Sequence, residues 1–306
     1  MDTNRKKVDH IVSEINRVIL GKELQVRLVL TCLFARGHVL IEDIPGVGKT
    51  TLAHVLAKVL GLSFQRIQFT SDLLPADIIG VSVYDKHDSQ FKFHKGPLFA
   101  QMILADEVNR ATPKTQSALL EAMEEQQVTV EGETRELPHP FFVLATQNPM
   151  HQIGTFPLPE SQLDRFMMRL ELGYPDQKTE RALLKGRSRR DMICDLPEVM
   201  HINDILAIQK QVASIHVSDA LLDYLQALLT FSRQSPQYKT GLSPRAGLSI
   251  MHSAQAWALT QGRDHVIPED VQIVLPGVIS HRLMTATEQY NTQTLASEFI
   301  QQVPIP

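Results

Sequence analysis

Glu42-Asp43-Ile44-Pro45-Gly46-Val47-Gly48-Lys49-Thr50 closes a short apolar run, Val39-Leu40-Ile41, and opens an amphipathic helix. A strand, a glycine-bearing turn and Lys-Thr at a helix start together predict a cradle for a nucleoside triphosphate. Gly46 and Gly48 can take backbone angles that other residues avoid, so successive N–H groups can turn toward phosphate oxygens. The helix N-terminus adds partial positive charge, Lys49 reaches the β- and γ-phosphates, and the Thr50 hydroxyl is a ligand for Mg²⁺. Pro45, Val47 and Thr51 complete the expected binding set. The generic pattern G-x-x-x-x-G-K-[ST] begins with glycine, and here that position is Asp43. Pro45-Gly46-x-Gly48-Lys49-Thr50 keeps the part that touches phosphate.

The bulk properties suit a folded chain of about two domains. Its 306 residues suggest that number, and 43% hydrophobic against 21% charged residues is enough apolar material for real cores. A net charge of −4 counts against a dedicated DNA-binding surface. Cys32 and Cys194 are the only cysteines, without a C-x-x-C pattern, so neither a disulfide framework nor a zinc finger is indicated. The N-terminus leads into an amphipathic helix rather than an apolar signal core, and no run is long enough to span a bilayer. A cytoplasmic protein is expected.

Periodicity divides the chain in two. Val8, Ile11, Val12, Ile15, Val18 and Ile19 repeat at helical spacing toward Gly21, and a second helix runs to Gly37. Apolar strands are expected at 38–42, around Ile67 and Phe69, at 101–105 and at 141–146, with helices between them. Strands apolar throughout and alternating with helices predict a parallel sheet covered on both faces. Residues 78–98 and 128–137 read as short strands and turns inserted into this pattern. Beyond Pro175 the reading is helical, with Ser218 as an N-cap and with Ser243-Pro244 and Ile267-Pro268 opening helices. The expected division is 1–174, an α/β core, and 175–306, a smaller all-α domain.

Two further motifs carry chemistry. Ile103-Leu104-Ala105-Asp106-Glu107 puts two carboxylates at the carboxyl end of a buried strand, where ligands sit in such sheets. Asp106 suits Mg²⁺, and Glu107 suits orienting and polarising an attacking water. The strand at 141–146 runs into Gln147-Asn148-Pro149, and the Asn148 amide can bond the γ-phosphate or the water. The other reading of Asn148 is an Asx turn set by Pro149. The twelve histidines show no ligand spacing, so His38, His54, His94 and His139 read as packed or solvated.

Along nearly its whole length the chain resembles the MoxR family of AAA+ ATPases. The resemblance rests on 41–50, on Gln68-Phe69-Thr70-Ser71-Asp72-Leu73-Leu74-Pro75-Ala76-Asp77, and on Leu104-Ala105-Asp106-Glu107-Val108-Asn109-Arg110-Ala111. It extends through 116–124, Ala145-Thr146-Gln147-Asn148-Pro149, the stretch 154–166 and Ser243-Pro244-Arg245. What it implies is a P-loop AAA+ core followed by a helical lid, with ATP and Mg²⁺ as substrate and ion. Lys49 and Thr50 match the Walker A pair, Asp106 and Glu107 the Walker B pair, and Asn148 sensor 1. Arg165 matches the arginine finger and Arg245 sensor 2, acting in cis or in trans. Residues 78–98 match the helix-2 insertion and 128–137 the pre-sensor insertion. The resemblance also implies a hexameric ring that remodels protein clients, often proteins with von Willebrand factor A domains. Competing readings from the residues are a DNA-acting AAA+ motor, a GTP switch, against which no N-K-x-D motif appears, and a small-molecule kinase.

Overall fold

The computed structural model describes residues 2–87, 89–148, 154–185, 189–285 and 292–305. Pro149, Asp88 and residues 186–188, which enter the motifs and elements expected above, lie outside them. Five parallel strands form one sheet in the order Phe64–Gln68, Met102–Asp106, Phe142–Gln147, Val39–Glu42, Met168–Leu170. Side chains alternate between its faces, as the two-residue period of a strand requires. Val39, Ile41, Met102, Leu104, Phe142 and Leu144 join one buried cluster with the helices Asp2–Asn16, Glu23–Phe34 and Lys49–Val59. Leu40, Ile103, Ala105, Val143 and Ala145 face the other cluster, with Leu119, Leu120 and Met123 of the helix Pro113–Glu125. Covering both faces explains why the strands read as continuous apolar runs. The α/β class with helices on either side is the one the sequence predicts.

Some local expectations change. The first helix ends at Asn16, and Val18 and Ile19, which mimic its period, sit buried in the turn that follows. The strand Met168–Leu170 is too short, and too interrupted by Arg169, to leave a periodic signal. Residues 78–98 form an antiparallel hairpin, Gly80–Asp85 with Gln90–Lys95, behind a short helix Pro75–Ile79. A second hairpin joins Gln127–Val130 to Glu133–Glu136. After Gln177 the described residues are mainly helical. Ser218 and Ser243 accept hydrogen bonds from the N–H groups of Leu221 and Ala246. One small antiparallel pair, Tyr238–Thr240 with Met284–Thr285, interrupts the helices. The helical part shares its core with the first sheet face, since Leu228, Ile250, Val274 and Phe299 belong to the same cluster as Val39.

Asp43 explains its own departure from the generic motif. Its Oδ1 accepts from the Ile44 N–H at 2.8 Å, and its Oδ2 accepts from Leu172 and Gly173 at 2.7 and 2.6 Å. The carboxylate therefore ties the phosphate turn to the chain just past the last strand, where the helical part begins. Glycine at this position would leave the Leu172 and Gly173 donors unpaired. Asp43→Gly, although it restores the generic pattern, is expected to lower unfolding free energy by about 2–4 kcal/mol. Urea titration checks this, and a loss below about 1 kcal/mol would deny the carboxylate its structural role.

His38 supplies a pH-dependent element of stability. Its Nδ1 accepts from the Val143 N–H at 3.0 Å, so Nε2 carries the proton and donates to the Met123 carbonyl at 3.2 Å. A second ring proton would set two donors against each other, and burial pushes the imidazole pKa down to about 4. The unfolded chain titrates near 6.5. Between those values only the unfolded chain takes up the proton, so stability is lost as pH falls from about 6.5 toward about 4. His38→Gln keeps a donor and an acceptor without titrating. Between pH 7 and pH 5 the parent should lose about 2 kcal/mol more than this variant in urea unfolding. Equal losses would remove His38 from the account.

Candidate active site

The carboxyl ends of four neighbouring strands bring the site together, with Gln68 opposite Asp106 and Glu42 opposite Gln147 in the parallel register. Asp106 is buried, and each of its oxygens has a partner. Its Oδ1 accepts from the Thr146 hydroxyl at 2.6 Å, and its Oδ2 accepts from the Arg66 guanidinium at 2.6 and 3.2 Å. Glu107, one residue on, turns the chain with φ at +57°. A non-glycine residue held in that region costs on the order of 1–3 kcal/mol. The Glu107 N–H donates to Thr146 Oγ1 at 2.9 Å, which fixes the turn and lifts the carboxylate clear of the sheet.

That carboxylate is held by three donors. Asn148 Nδ2 reaches its Oε1 at 2.9 Å, while Gln68 Nε2 and Arg110 Nη1 reach its Oε2 at 3.2 and 2.8 Å. The other end of the Asn148 amide accepts from Lys49 Nζ at 3.3 Å. Asn148 therefore bridges the ammonium of the phosphate turn and the second acid. Lys49 Nζ also donates to the Asp43 carbonyl at 2.5 Å. Burial lowers the Lys49 pKa, and the facing Asp43, Asp106, Glu107 and Glu42 oppose that shift by favouring the charged form.

Gly46 and Gly48 have φ of +88° and +95°, and Gly48 is the residue from which the helix Lys49–Val59 starts. A Cβ at either position would meet no protein atom within 4 Å, so the backbone angle rather than crowding demands glycine. Pro45 is exposed beside them, and Thr50 is half-buried in the first helical turn. Gly46, Val47, Gly48 and Thr51 also line a cavity of about 230 Å³. Its other walls are Val18, Ile19, Leu20 and Lys22 from the first turn, and Pro175, Leu183 and Arg189 from the helical part. Sequence reasoning assigned Val18 and Ile19 to a helix and did not find this cavity. It also left Arg66 unmentioned and quoted Gln68 only within the family resemblance, without a role. Their placement beside Asp106 comes from the parallel register of the strand Phe64–Gln68, whose own sequence carries no clean alternation.

Arg165 and Arg245 are not among the groups on Asp106 or Glu107. Both pair with Glu124, at 3.1 Å and 2.5 Å. Arg165 follows the short helix Glu160–Leu163, and its Nη1 donates to the Leu120 carbonyl at 2.7 Å. Asp164, its neighbour in sequence, takes Arg282 at 2.6 Å. Glu124 lies eleven residues beyond Pro113 on one helix, roughly 16 Å along its axis. Asn109 is buried beneath the site, its Nδ2 3.4 Å from the Asn148 carbonyl. Arg110 sits on Glu107.

For Mg²⁺ the candidate donors are the Thr50 hydroxyl and the Asp106 carboxylate, both hard oxygens of the kind this ion takes alongside phosphate and water. The donor chemistry fits the ion.

Known proteins are similar to this chain in sequence and fold. A model of the ATPase family associated with various cellular activities matches residues 38–168, and a model of the AAA lid domain matches 230–303. The chain is 44% identical to the uncharacterized protein YeaC of Bacillus subtilis, covering 96% of this chain and 93% of that protein. It is 38% identical to Chaperone MoxR1 of Mycobacterium tuberculosis, over 98% and 82% of the two chains. A crystal structure from Cytophaga hutchinsonii, described as a candidate ATPase, superposes with a TM-score of 0.89 at 36% identity, over 99% and 96% of the two chains. With the phosphate turn, the paired acids and the bridging Asn148 on one sheet edge, and with these relatives spanning both parts of the chain, the protein belongs to the MoxR family of AAA+ ATPases.

Proposed function

We propose that the protein hydrolyses ATP in the presence of Mg²⁺, in a hexameric cytoplasmic ring, and uses the cycle to remodel or mature protein clients. The bridge from Lys49 through Asn148 to Glu107 carries this reading, because it sets a phosphate-binding cation and a candidate base on the two ends of one amide. The N–H groups of the turn from Gly46 to Lys49 receive the phosphates, Pro45 sets the entry to that turn, Lys49 Nζ binds the β- and γ-oxygens, and Thr51 lies beside them. Thr50 and Asp106 would hold Mg²⁺, which when bound offsets charge between those oxygens. Glu107 polarises the attacking water, and Asn148 orients it against the γ-phosphate. Gln68 and Arg110 keep the Glu107 carboxylate aimed. The cavity between Val18, Leu183 and Arg189 is the proposed seat of the adenine ring. Residues 1–174 act as the core and 175–306 as the lid.

Arg165 and Arg245 act across a subunit boundary in this proposal, on the nucleotide of a neighbour. Their shared position on Glu124, away from the chain's own acids, supports that reading. Client remodelling is supported by the chaperone name of the mycobacterial relative, and von Willebrand factor A domain proteins are the client class that the family resemblance implies. Two cysteines, both free, suit a reducing compartment.

Lys49→Ala should abolish ATP binding in calorimetry. Glu107→Gln should bind ATP normally but lose about 10²–10⁴-fold in turnover, the usual worth of a positioned base. Normal turnover in Glu107→Gln would refute the assignment of the base. Arg165→Ala should bind ATP and hydrolyse it about 10³–10⁵-fold more slowly. Turnover should return when Arg165→Ala is mixed with Glu107→Gln subunits, and no recovery in mixed assemblies would refute a role in trans. Client protein should stimulate hydrolysis and DNA should not; robust stimulation by DNA would favour a DNA-acting motor instead.

A further inference from the structure

Glu124 brings together two arginines from distant parts of the chain. Arg165 Nη2 lies 3.1 Å from its Oε2, and Arg245 Nη2 lies 2.5 Å from its Oε1, so each carboxylate oxygen takes one guanidinium. Without an anion between them, two adjacent guanidiniums repel and their long side chains spread over many rotamers. A second frame stands behind the first. Asp164 accepts from Arg282 Nε at 2.6 Å and from the Ser243 hydroxyl at 3.4 Å, with Arg245 Nη1 at 3.9 Å. Arg282 is buried and spends its remaining donors on the carbonyls of Asp164, Phe166, Met167 and Val278. It therefore anchors the frame and is not presented outward. Arg165, Arg245 and Glu124 keep about a third to a half of their side-chain surface exposed.

A guanidinium has five donors, and the contacts to Glu124 use only part of each set. Arg165 also gives Nη1 to the Leu120 carbonyl at 2.7 Å, and the donors left on the two arginines flank one carboxylate and keep partial exposure. A terminal phosphate is a strong bidentate partner for arginine. We propose that Glu124 is a positioning residue that joins Arg165 and Arg245 into one two-armed phosphate receptor, offered to the nucleotide of an adjoining copy of this chain. The proposal rests on the reading above that both arginines act in trans. It adds that they act as a unit and that the unit is set by a residue on the helix Pro113–Glu125.

The test compares Glu124→Ala, Glu124→Gln and Arg165→Ala, each alone and mixed with Glu107→Gln subunits. Glu124→Ala should retain ATP affinity within about twofold, because its own phosphate turn and acids are untouched. Its kcat should fall about 10- to 100-fold, the range that misplacement of a transition-state group produces. Glu124→Gln, which keeps one acceptor oxygen, should lie between it and the parent. In mixtures, Glu107→Gln subunits supply correctly held arginines to the intact acids of Glu124→Ala, so turnover should recover. If Arg165→Ala is impaired and rescued while Glu124→Ala turns over like the parent, the positioning role is wrong and the trans reading stands. If Glu124→Ala is impaired but not rescued where Arg165→Ala is, Glu124 is a folding residue and the proposal falls. If Arg165→Ala itself is not rescued, the trans reading fails and the receptor fails with it.

Discussion

Gathering a lysine from a helix start and two carboxylates from a strand end at one largely buried place is costly unless each charge finds a partner. This constraint organises the edge of the sheet. Asp106 is neutralised by Arg66 and anchored by Thr146, Glu107 by Arg110, Gln68 and Asn148, and Lys49 by a carbonyl and the same asparagine. The polar residues come from strands far apart in sequence, and only the parallel register of the sheet sets them side by side. Each partner is also a steering group. A carboxylate held at three points is restricted in space, which suits the base role proposed for Glu107.

The same logic recurs at a distance, with the sign reversed. Arg165 and Arg245 are cations that need an anion, and Glu124 provides one at the far end of the helix that begins near the acids. The molecule therefore carries two polar centres, one built around carboxylates and a lysine, the other around arginines. For hydrolysis the first needs positive charge at the γ-phosphate, and the second has positive charge to give. In the ring proposed above, identical subunits set head to tail would face one centre toward the other, the heterologous arrangement that closes into rings. Asp43 adds a mechanical link, since it fastens the phosphate turn to the backbone at Leu172 and Gly173, where the sheet gives way to the helical part.

Much of this was legible in the residues. The phosphate turn, the acid pair at the end of an apolar strand and Asn148 at the tip of the next are local patterns, and the structure brings Lys49, Asp106, Glu107 and Asn148 into one network. Helix starts at Ser218 and Ser243 were equally local, because an N-cap is decided within four residues. What escaped was non-local or aperiodic. The strand Met168–Leu170 is defined by pairing with Val39–Glu42 and by nothing in its own three residues. Val18 and Ile19 kept helical spacing after the helix had ended. Arg66 and Gln68 gained their roles only through pairing with the strand that ends in Asp106.

Sequence alone determined the chemistry available, namely a turn shaped for phosphate, a cation, two acids, an amide and two arginines, and it determined the family and the α/β class through hydrophobic period. These are properties of short windows, where backbone preference and side-chain type act directly. Tertiary structure alone decided who meets whom. It made Asp43 a tie rather than a defect, gave Glu107 its three donors, and sent Arg165 and Arg245 to Glu124 instead of to the chain's own acids. The physical reason is that a charge selects its partner by distance in space, and distance between residues remote in sequence is set by strand order, register and helix packing.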